Sequence, residues 1–538
     1  MFNKVLENFD SIVIPPKKPF FISLGEPISK AKIKYIKGYK NLKSEIKTYI
    51  QEYQLKFDKY PEWVKIDFVV KEEKIEFDIV VEEMLNKRRN YIDFGICLDE
   101  DWNVAFLPEV INANAFVRPQ KGKDHNSLEL SINNINHYLK NYTETKKNKL
   151  DNYKGRKIIR FETKGYLLTK EKYYELEESG SLKGIRKITD INEEIDIMIG
   201  TATQYLKNEI TPSGMYRYGR FPHFDREIRF YNVLRHCSST YSLIEGLSYL
   251  DKEVKSVKKA FKYIHKKAYY DCGDVAYIYD DTNDINEIKL GQNASYILSV
   301  TEYLKEGEHD SELLYRAQKV AEGILRMINS YTMETHHVLN YPDLSIKDKN
   351  RVIYYDGEAA FALLRLYQID NNPKWLNTVI LLFDKFITQN YWQYHDHWLS
   401  YCTNELVKII PESRYIEFGL KNISHYLKFI YHRETTFPTF LEMLTSTFKL
   451  IEQAKLFGFT HTVSNHINED FLIKVLHHRA NYQRAGYFYP EIAMYFKNPK
   501  SILGSFFIKH HGYRVRIDDI EHYLSGYIQY QKLFYSKT

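Results

Sequence analysis

The sequence predicts an α+β fold class in two parts: an α+β domain with short strands over residues 1–190, then a mainly helical α/α toroid over 191–538. Three observations predict it. Short β-type runs crowd the first 190 residues, amphipathic helical periodicity takes over near residue 191, and a helix-turn-helix unit then recurs at unequal spacing. At 538 residues, 44% hydrophobic and 27% charged, the chain is long enough to bury two cores.

In the first part, WVKIDFVV (63–70), KIEFDIVV (74–81), YIDFGICLD (91–99) and KIIRFET (157–163) alternate apolar and polar positions and are rich in β-branched residues, so each is expected to be a strand. The stretch that begins SLELSINNINHYLKNY fits a helix and ends in a lysine-rich exposed connector. In 96–117 an acidic, aromatic run carries Asp99, Glu100, Asp101, Glu109, Asn112 and Asn114. A strand-turn-strand around DEDWN accounts for it, with a second binding surface as the alternative.

In the second part the recurring unit begins at RHCSSTYSLIEGLSYL (235–250), LGQNASYILSVTEYLK (290–305) and DGEAAFALLRLYQI (356–369). A charged break and a partner helix follow each: SVKKAFKYIHKKA, LLYRAQKVAEGILRMI and WLNTVILLFDKFI. Later starts at WLSYCTNELVKII, FPTFLEMLTSTFKLIEQ, YPEIAMYF and IDDIEHYLSGYIQYQKL extend the series. Stacked helix pairs form either an open solenoid of nearly fixed period or a closed ring that tolerates unequal insertions. The unequal spacing selects the ring. The last helix is expected to close it against the first hairpin.

In such a ring the starts of the inner helices converge, so polar residues there form a concave site. Asp356 and Glu358, beside Tyr354 and Tyr355, open one inner helix; helix capping explains such carboxylates equally well, at about 0.3–1 kcal/mol each. YWQYHDHWLSYCTNEL (391–406) gathers Trp392, His395, Asp396, His397, Trp398 and Glu405. Histidines and carboxylates together in a cleft suit general acid/base work. The catalytic candidates are therefore Asp356, Glu358, Asp396, His397 and Glu405. Substrate binding is assigned to Arg235, His236, Asn293, His337, Tyr355, Trp392, His395 and Trp398. Further polar sets lie at Glu334, His336 and Asp343, at His223, Asp225 and Arg226, at Glu442 and Glu491, and across 505–527 with Asp518, Asp519, Glu521 and His522. Each of these fits a rim, cap or ring-closing role as well as a chemical one.

Other classes lack their signals. A net charge of +6 is too small to point to nucleic acid. No apolar stretch suits a membrane span or a signal peptide, so a cytoplasmic setting without membrane insertion is expected. Cys97, Cys237, Cys272 and Cys402 are far apart, and the His395–His397 pair lacks helical metal spacing, so no metal is expected. No P-loop, GxGxxG after a strand, or GxSxG occurs, and no cofactor is expected.

The segment YYDGEAAFALLRLYQIDNNPKWL, and more loosely RHCSSTYSLIEGL, resembles the hairpin signature of six-hairpin α/α-toroid proteins, a group of glycoside hydrolases, uronate epimerases and the N-acylglucosamine 2-epimerase type. The resemblance covers about residues 200–535 by pattern. It implies a carbohydrate-active enzyme that holds a glycan or sugar in the funnel and works by hydrolysis, elimination or epimerisation. A non-catalytic toroid binding a protein or polymer, and a peptide- or polymer-modifying biosynthetic enzyme, are the competing readings. LanC-like cyclases share the toroid, but their zinc-holding cysteine and histidine arrangement is absent here.

Overall fold

The computed structural model describes residues 18–86, 91–100, 102–119, 128–142 and 155–535. Asp101 and the lysine-rich connector at 143–154 lie outside the described residues. The chain forms two compact units. The first comprises the residues before 191 together with 220–226 and 484–515, and the second comprises 191–219, 227–483 and the residues from 516 on.

In the first unit, β1 (Phe20–Glu26) and β2 (Ser29–Ile36) form an antiparallel pair, and β3 (Trp63–Glu76) joins the other edge of β1. A long strand β6 (Lys157–Leu168) pairs antiparallel with β3 and then with β4 (Gly95–Cys97), which in turn carries β5 (Ala105–Phe106). The sheet order is β2-β1-β3-β6-β4-β5. Helix α1 (Leu42–Phe57) lays Leu42, Ile46, Ile50 and Tyr53 on Phe20, Ile22, Val64, Ile66 and Phe68 to make the core.

The two expected strands 63–70 and 74–81 turn out differently. They merge into the 14-residue β3, and the chain switches at Phe77 into helix α2 (Phe77–Asn86). Alternation ends there, and FDIVVEEML carries its apolar residues at three- and four-residue steps instead. The expected helix in 127–142 is present at Ile132–Tyr142. Asp99 closes the turn between β4 and β5 by accepting from the backbone N–H groups of Asn103 and Val104 at 2.9 and 2.7 Å.

Two buried ionic groups mark this unit. Lys65 is fully enclosed, 2.7 Å from Asp67 and 3.0 Å from Glu109. Glu491 accepts from Arg186 Nε and Nη2 at 2.9 and 2.7 Å and from its backbone N–H at 3.0 Å, which ties 484–515 to the earlier chain. Glu491 is thus a structural anchor.

The second unit is a closed ring of helices. Outer helices are α3 (Ile191–Glu209), α5 (Lys258–Lys267), α7 (Ser311–Arg326), α9 (Pro373–Thr388), α11 (Ser413–Ser424) and α13 (Glu469–Tyr482). Inner helices are α4 (Val233–Tyr249), α6 (Leu290–Lys305), α8 (Tyr354–Asp370), α10 (His397–Ile409), α12 (Thr439–Leu456) and α14 (Ile517–Phe534). Each inner helix packs on the next, and α14 packs back on α4, so the ring closes as the sequence predicts.

The outer helices are amphipathic; α7 turns Leu313, Ala317, Val320, Ala321 and Ile324 inward at three- and four-residue steps. The inner helices are buried on nearly every side. They tolerate this because their hydroxyls bond back to their own helix, as Thr240 does to the His236 carbonyl at 2.8 Å, Ser295 to Gly291 at 2.7 Å and Thr403 to Leu399 at 2.7 Å. Among the described residues no helix is long and apolar enough to cross a membrane.

Candidate active site

The N-terminal ends of the inner helices meet at one end of the ring. Arg235 of α4 lies 3.5 Å from Asp518 of α14, and Ser238 donates to Glu521 across 2.5 Å. His522 Nδ1 is 3.0 Å from Glu442 Oε2 of α12, while Tyr401 of α10 donates to Glu442 Oε1 at 3.2 Å. The imidazoles of His397 and His522 stand edge to face with centroids 5.3 Å apart. Two glycines make the close approach: a methyl on Gly291 would collide with Glu358 and Tyr355, and one on Gly357 with Asp396.

Four buried polar atoms around this centre have no partner among the described residues: Glu358 Oε1, Asp396 Oδ2, His397 Nε2 and Asp518 Oδ1. Buried polar atoms are ordinarily paired, so a cluster of unpaired ones marks where a polar ligand or water belongs. Arg235 keeps 35% of its side-chain surface accessible although Asp518 beside it is nearly enclosed.

The electrostatics divide the two imidazoles. Burial, with the cations His522 and Arg235 nearby, holds His397 well below the ordinary histidine value, so it is neutral. Burial also works against charge on His522, but Glu442 and Glu521 outweigh it and raise the ring to about 9. At neutral pH the pair is a free base beside a held acid. Burial drives Glu358 well above the carboxylate range, with Glu521 and Asp396 adding to it against the pull of Arg235. Burial raises Glu521 to about 7 and Asp396 well above its usual value.

Of the residues singled out in the sequence, Arg235, Glu358, Asp396 and His397 come together here. Tyr355 lies against Gly291 beside Glu358, and Trp398 packs on His397 and Tyr401. Asp396 also caps α10 by accepting from the Trp398 N–H at 2.8 Å. The others are engaged elsewhere. Asp356 points away from Glu358, taking hydrogen bonds from Thr335 and, at 3.3 Å, from His337; these bonds outweigh burial and hold its carboxyl below the usual range. His337 Nδ1 accepts from the backbone N–H groups of Arg351 and Val352 at 3.0 and 3.2 Å, so both its nitrogens are engaged.

His236 is fixed between the Tyr231 hydroxyl at 2.6 Å and the Ala260 carbonyl at 3.2 Å, and burial lowers it to about 3. Asn293 accepts from the Ile278 N–H at 2.7 Å and donates to the Lys289 carbonyl at 2.8 Å. His395 donates to the Asn422 carbonyl at 2.7 Å and stacks on Tyr426, and the Trp392 indole donates to Asn390 at 3.1 Å. Glu405 sits two turns along α10 at the other end of the ring, bound to Lys408 and Gln368 at 3.2 Å each.

Glu442, Asp518, Glu521 and His522 complete the centre although they were not among the chosen candidates. The signal that finds them is the one that found Glu358: a polar side chain within the first two turns of an inner helix. His397, Glu442 and His522 also place one ligand atom each within 4.8 Å of one another, a set able to hold a metal ion where none was expected. Without an ion, the 3.0 Å contact between Glu442 and His522 is a hydrogen bond.

No protein-family model and no curated protein sequence matches the chain. Solved structures do. A cellobiose 2-epimerase from Bacillus thermoamylovorans superposes with a TM-score of 0.50 at 11% identity, over 63% of this chain and 100% of that one. The fold is that of the α/α toroids. A D-mannose isomerase follows the toroid at a TM-score of 0.48 and 12% identity over 65% of this chain and 100% of its own. A GH76 α-mannanase from Bacteroides thetaiotaomicron does so at 0.47 and 10%, over 64% and 100%. At these identities the likeness is one of fold.

Proposed function

We propose that the toroid is a carbohydrate-active enzyme that epimerises or isomerises a reducing sugar by moving a proton beside its carbonyl group. The observation that carries this is the imidazole pair, a neutral His397 with a free Nε2 facing a His522 held protonated by Glu442 and Glu521. Such a shift needs a base to take the proton from the carbon next to the carbonyl and an acid to return one. His397 takes the first role and His522 the second. Arg235, and Glu358 in its protonated form, are placed to donate hydrogen bonds to the enediolate oxygens as charge builds there.

Hydrolysis fits less well. It needs an ionised carboxylate facing a carboxylic acid, whereas burial pushes both Glu358 and Asp396 well towards their neutral forms. The sugar class is supported by the fold shared with a protein named cellobiose 2-epimerase. All four cysteines are free thiols, which suits a cytoplasmic setting.

The test is incubation of the protein with glucose, mannose and cellobiose in D2O, followed by proton NMR. Loss of the C2 proton signal together with appearance of the epimer or ketose is the expected outcome. Release of monosaccharide from cellobiose without exchange, or no change in any sugar, overturns the reading.

A further inference from the structure

The opposite end of the toroid holds a second chamber that the imidazole centre does not use. It is a cavity of about 430 Å³, within the usual size of small-molecule sites. Five cations line it, Lys305, Arg365, Lys408, Lys449 and Lys532, against two carboxylates, Glu245 and Glu405. Glu302, behind the wall, serves both Lys305 at 2.9 Å and Arg365 at 3.3 Å, and Glu405 serves Lys408 at 3.2 Å. Counting Glu302, five positive groups face three carboxylates, and burial together with Glu302 raises Glu245 towards its neutral form.

Lys449 makes its side-chain hydrogen bond to the uncharged amide of Gln529. Burial, with Lys532 and Lys408 close by, presses it down to about 8. Asn404 lines the same wall at 3% exposure, and its Oδ1 has no partner. Arg365 Nε, a buried donor in the same wall, has no hydrogen-bond partner among the described residues, and buried donors are ordinarily paired.

We propose that this chamber is a second ligand site of the toroid and that it takes a small anionic compound bearing phosphate or sulfate. Arg365 offers a forked donor, Lys449 and Lys532 add charge, and the amides of Asn404 and Gln529 are placed to bond hydroxyls on a carrier. The site stands on residues separate from His397 and His522, so its test and that of the sugar reaction fail independently.

The experiment is titration calorimetry on the full chain with inorganic sulfate, inorganic phosphate, glucose 6-phosphate and glucose, at ionic strength fixed with NaCl. Saturable binding of the three anions and none of glucose is expected. Tighter binding of glucose 6-phosphate than of phosphate identifies a sugar carrier, and equal binding identifies the bare anion; both support the site. Lys449→Gln and Arg365→Gln, each checked for an unchanged circular dichroism spectrum, should weaken binding about tenfold, the effect of losing one charge-assisted hydrogen bond. Sulfate does not titrate near pH 8, so its binding there should draw a proton onto Lys449, read as a heat that varies with the buffer. Absence of saturable heat, or unchanged affinity in both variants, overturns the proposal.

Discussion

His522 Nδ1 and Glu442 Oε2 lie 3.0 Å apart and join the N-terminal ends of α14 and α12. The other oxygen of that carboxylate accepts from Tyr401 at 3.2 Å, so neighbours on both sides fix its position. A buried imidazolium is costly by itself, and this carboxylate together with Glu521 is what keeps the proton in place.

The pH dependence follows from the two imidazoles. His397 is held well below the ordinary value and stays a base throughout the neutral range. His522, at about 9, must keep its proton and loses it as pH rises. The kcat/KM profile for epimerisation should therefore be level through neutrality and fall about tenfold per pH unit above pH 9. A profile falling from pH 6.5 instead contradicts the assignment.

Glu442→Gln keeps the size of the side chain and removes its charge. An opposite charge at this distance shifts a pKa by about 1–3 units. The alkaline fall in kcat/KM should accordingly move down by at least about one unit, with rate below that limb largely retained. Deuterium exchange rates measured from pH 6 to 10 check this, because a purely structural role would lower the rate at every pH and leave the limb in place.

His397→Asn should reduce turnover by about 10²–10⁴, the usual worth of a positioned general base. The His397 Nε2 atom has no hydrogen bond to lose, so thermal stability should stay within about a degree or two of the parent. Steady-state rates with a parallel melting curve separate the two effects.

The architecture was legible because apolar periodicity states the helix type and unequal repeats state closure. The rotation of each inner helix was not. Asp356 and Glu358 stand two residues apart, about 200° around a helix, so one must turn away when the other faces the axis; the structure turns Asp356 to Thr335 and His337. The sequence treats them alike. His236 and Asn293 were chosen by the same rule as Arg235, yet they bond to loop backbone and hydroxyl groups that only the folded chain supplies. Glu405 was grouped with His397 by nearness in sequence, and two helical turns carry it to the other chamber. Glu442 and His522 meet across 80 residues, and no local pattern announces that pairing.

Gly357→Ala places a methyl against Asp396 Oδ2 and 2.9 Å from Leu399 Cγ, where α8 and α10 cross. Leu399 is in the packed wall and cannot swing clear, so the helices must part. Overpacking of this kind costs about 1–3 kcal/mol. A lowered urea midpoint, together with loss of exchange activity as Asp396 and Glu358 shift, is the expected outcome.

Lys65→Met tests the first unit on its own terms. The lysine is wholly enclosed, 2.7 Å from Asp67 and 3.0 Å from Glu109, and both carboxylates have a further oxygen without a partner. Removing one member of a buried ionic group leaves uncompensated charge and costs about 3–5 kcal/mol. Burial already raises Asp67 to about 6 with the lysine present, and without Lys65 it must rise further. An acid whose folded value lies above its unfolded value binds more protons when folded, so stability falls as pH climbs through that window. The deficit of the variant should thus be larger at pH 7.5 than at pH 5 in urea unfolding followed by tryptophan fluorescence. An equal deficit at both values would mean that the carboxylates do not share a buried charge.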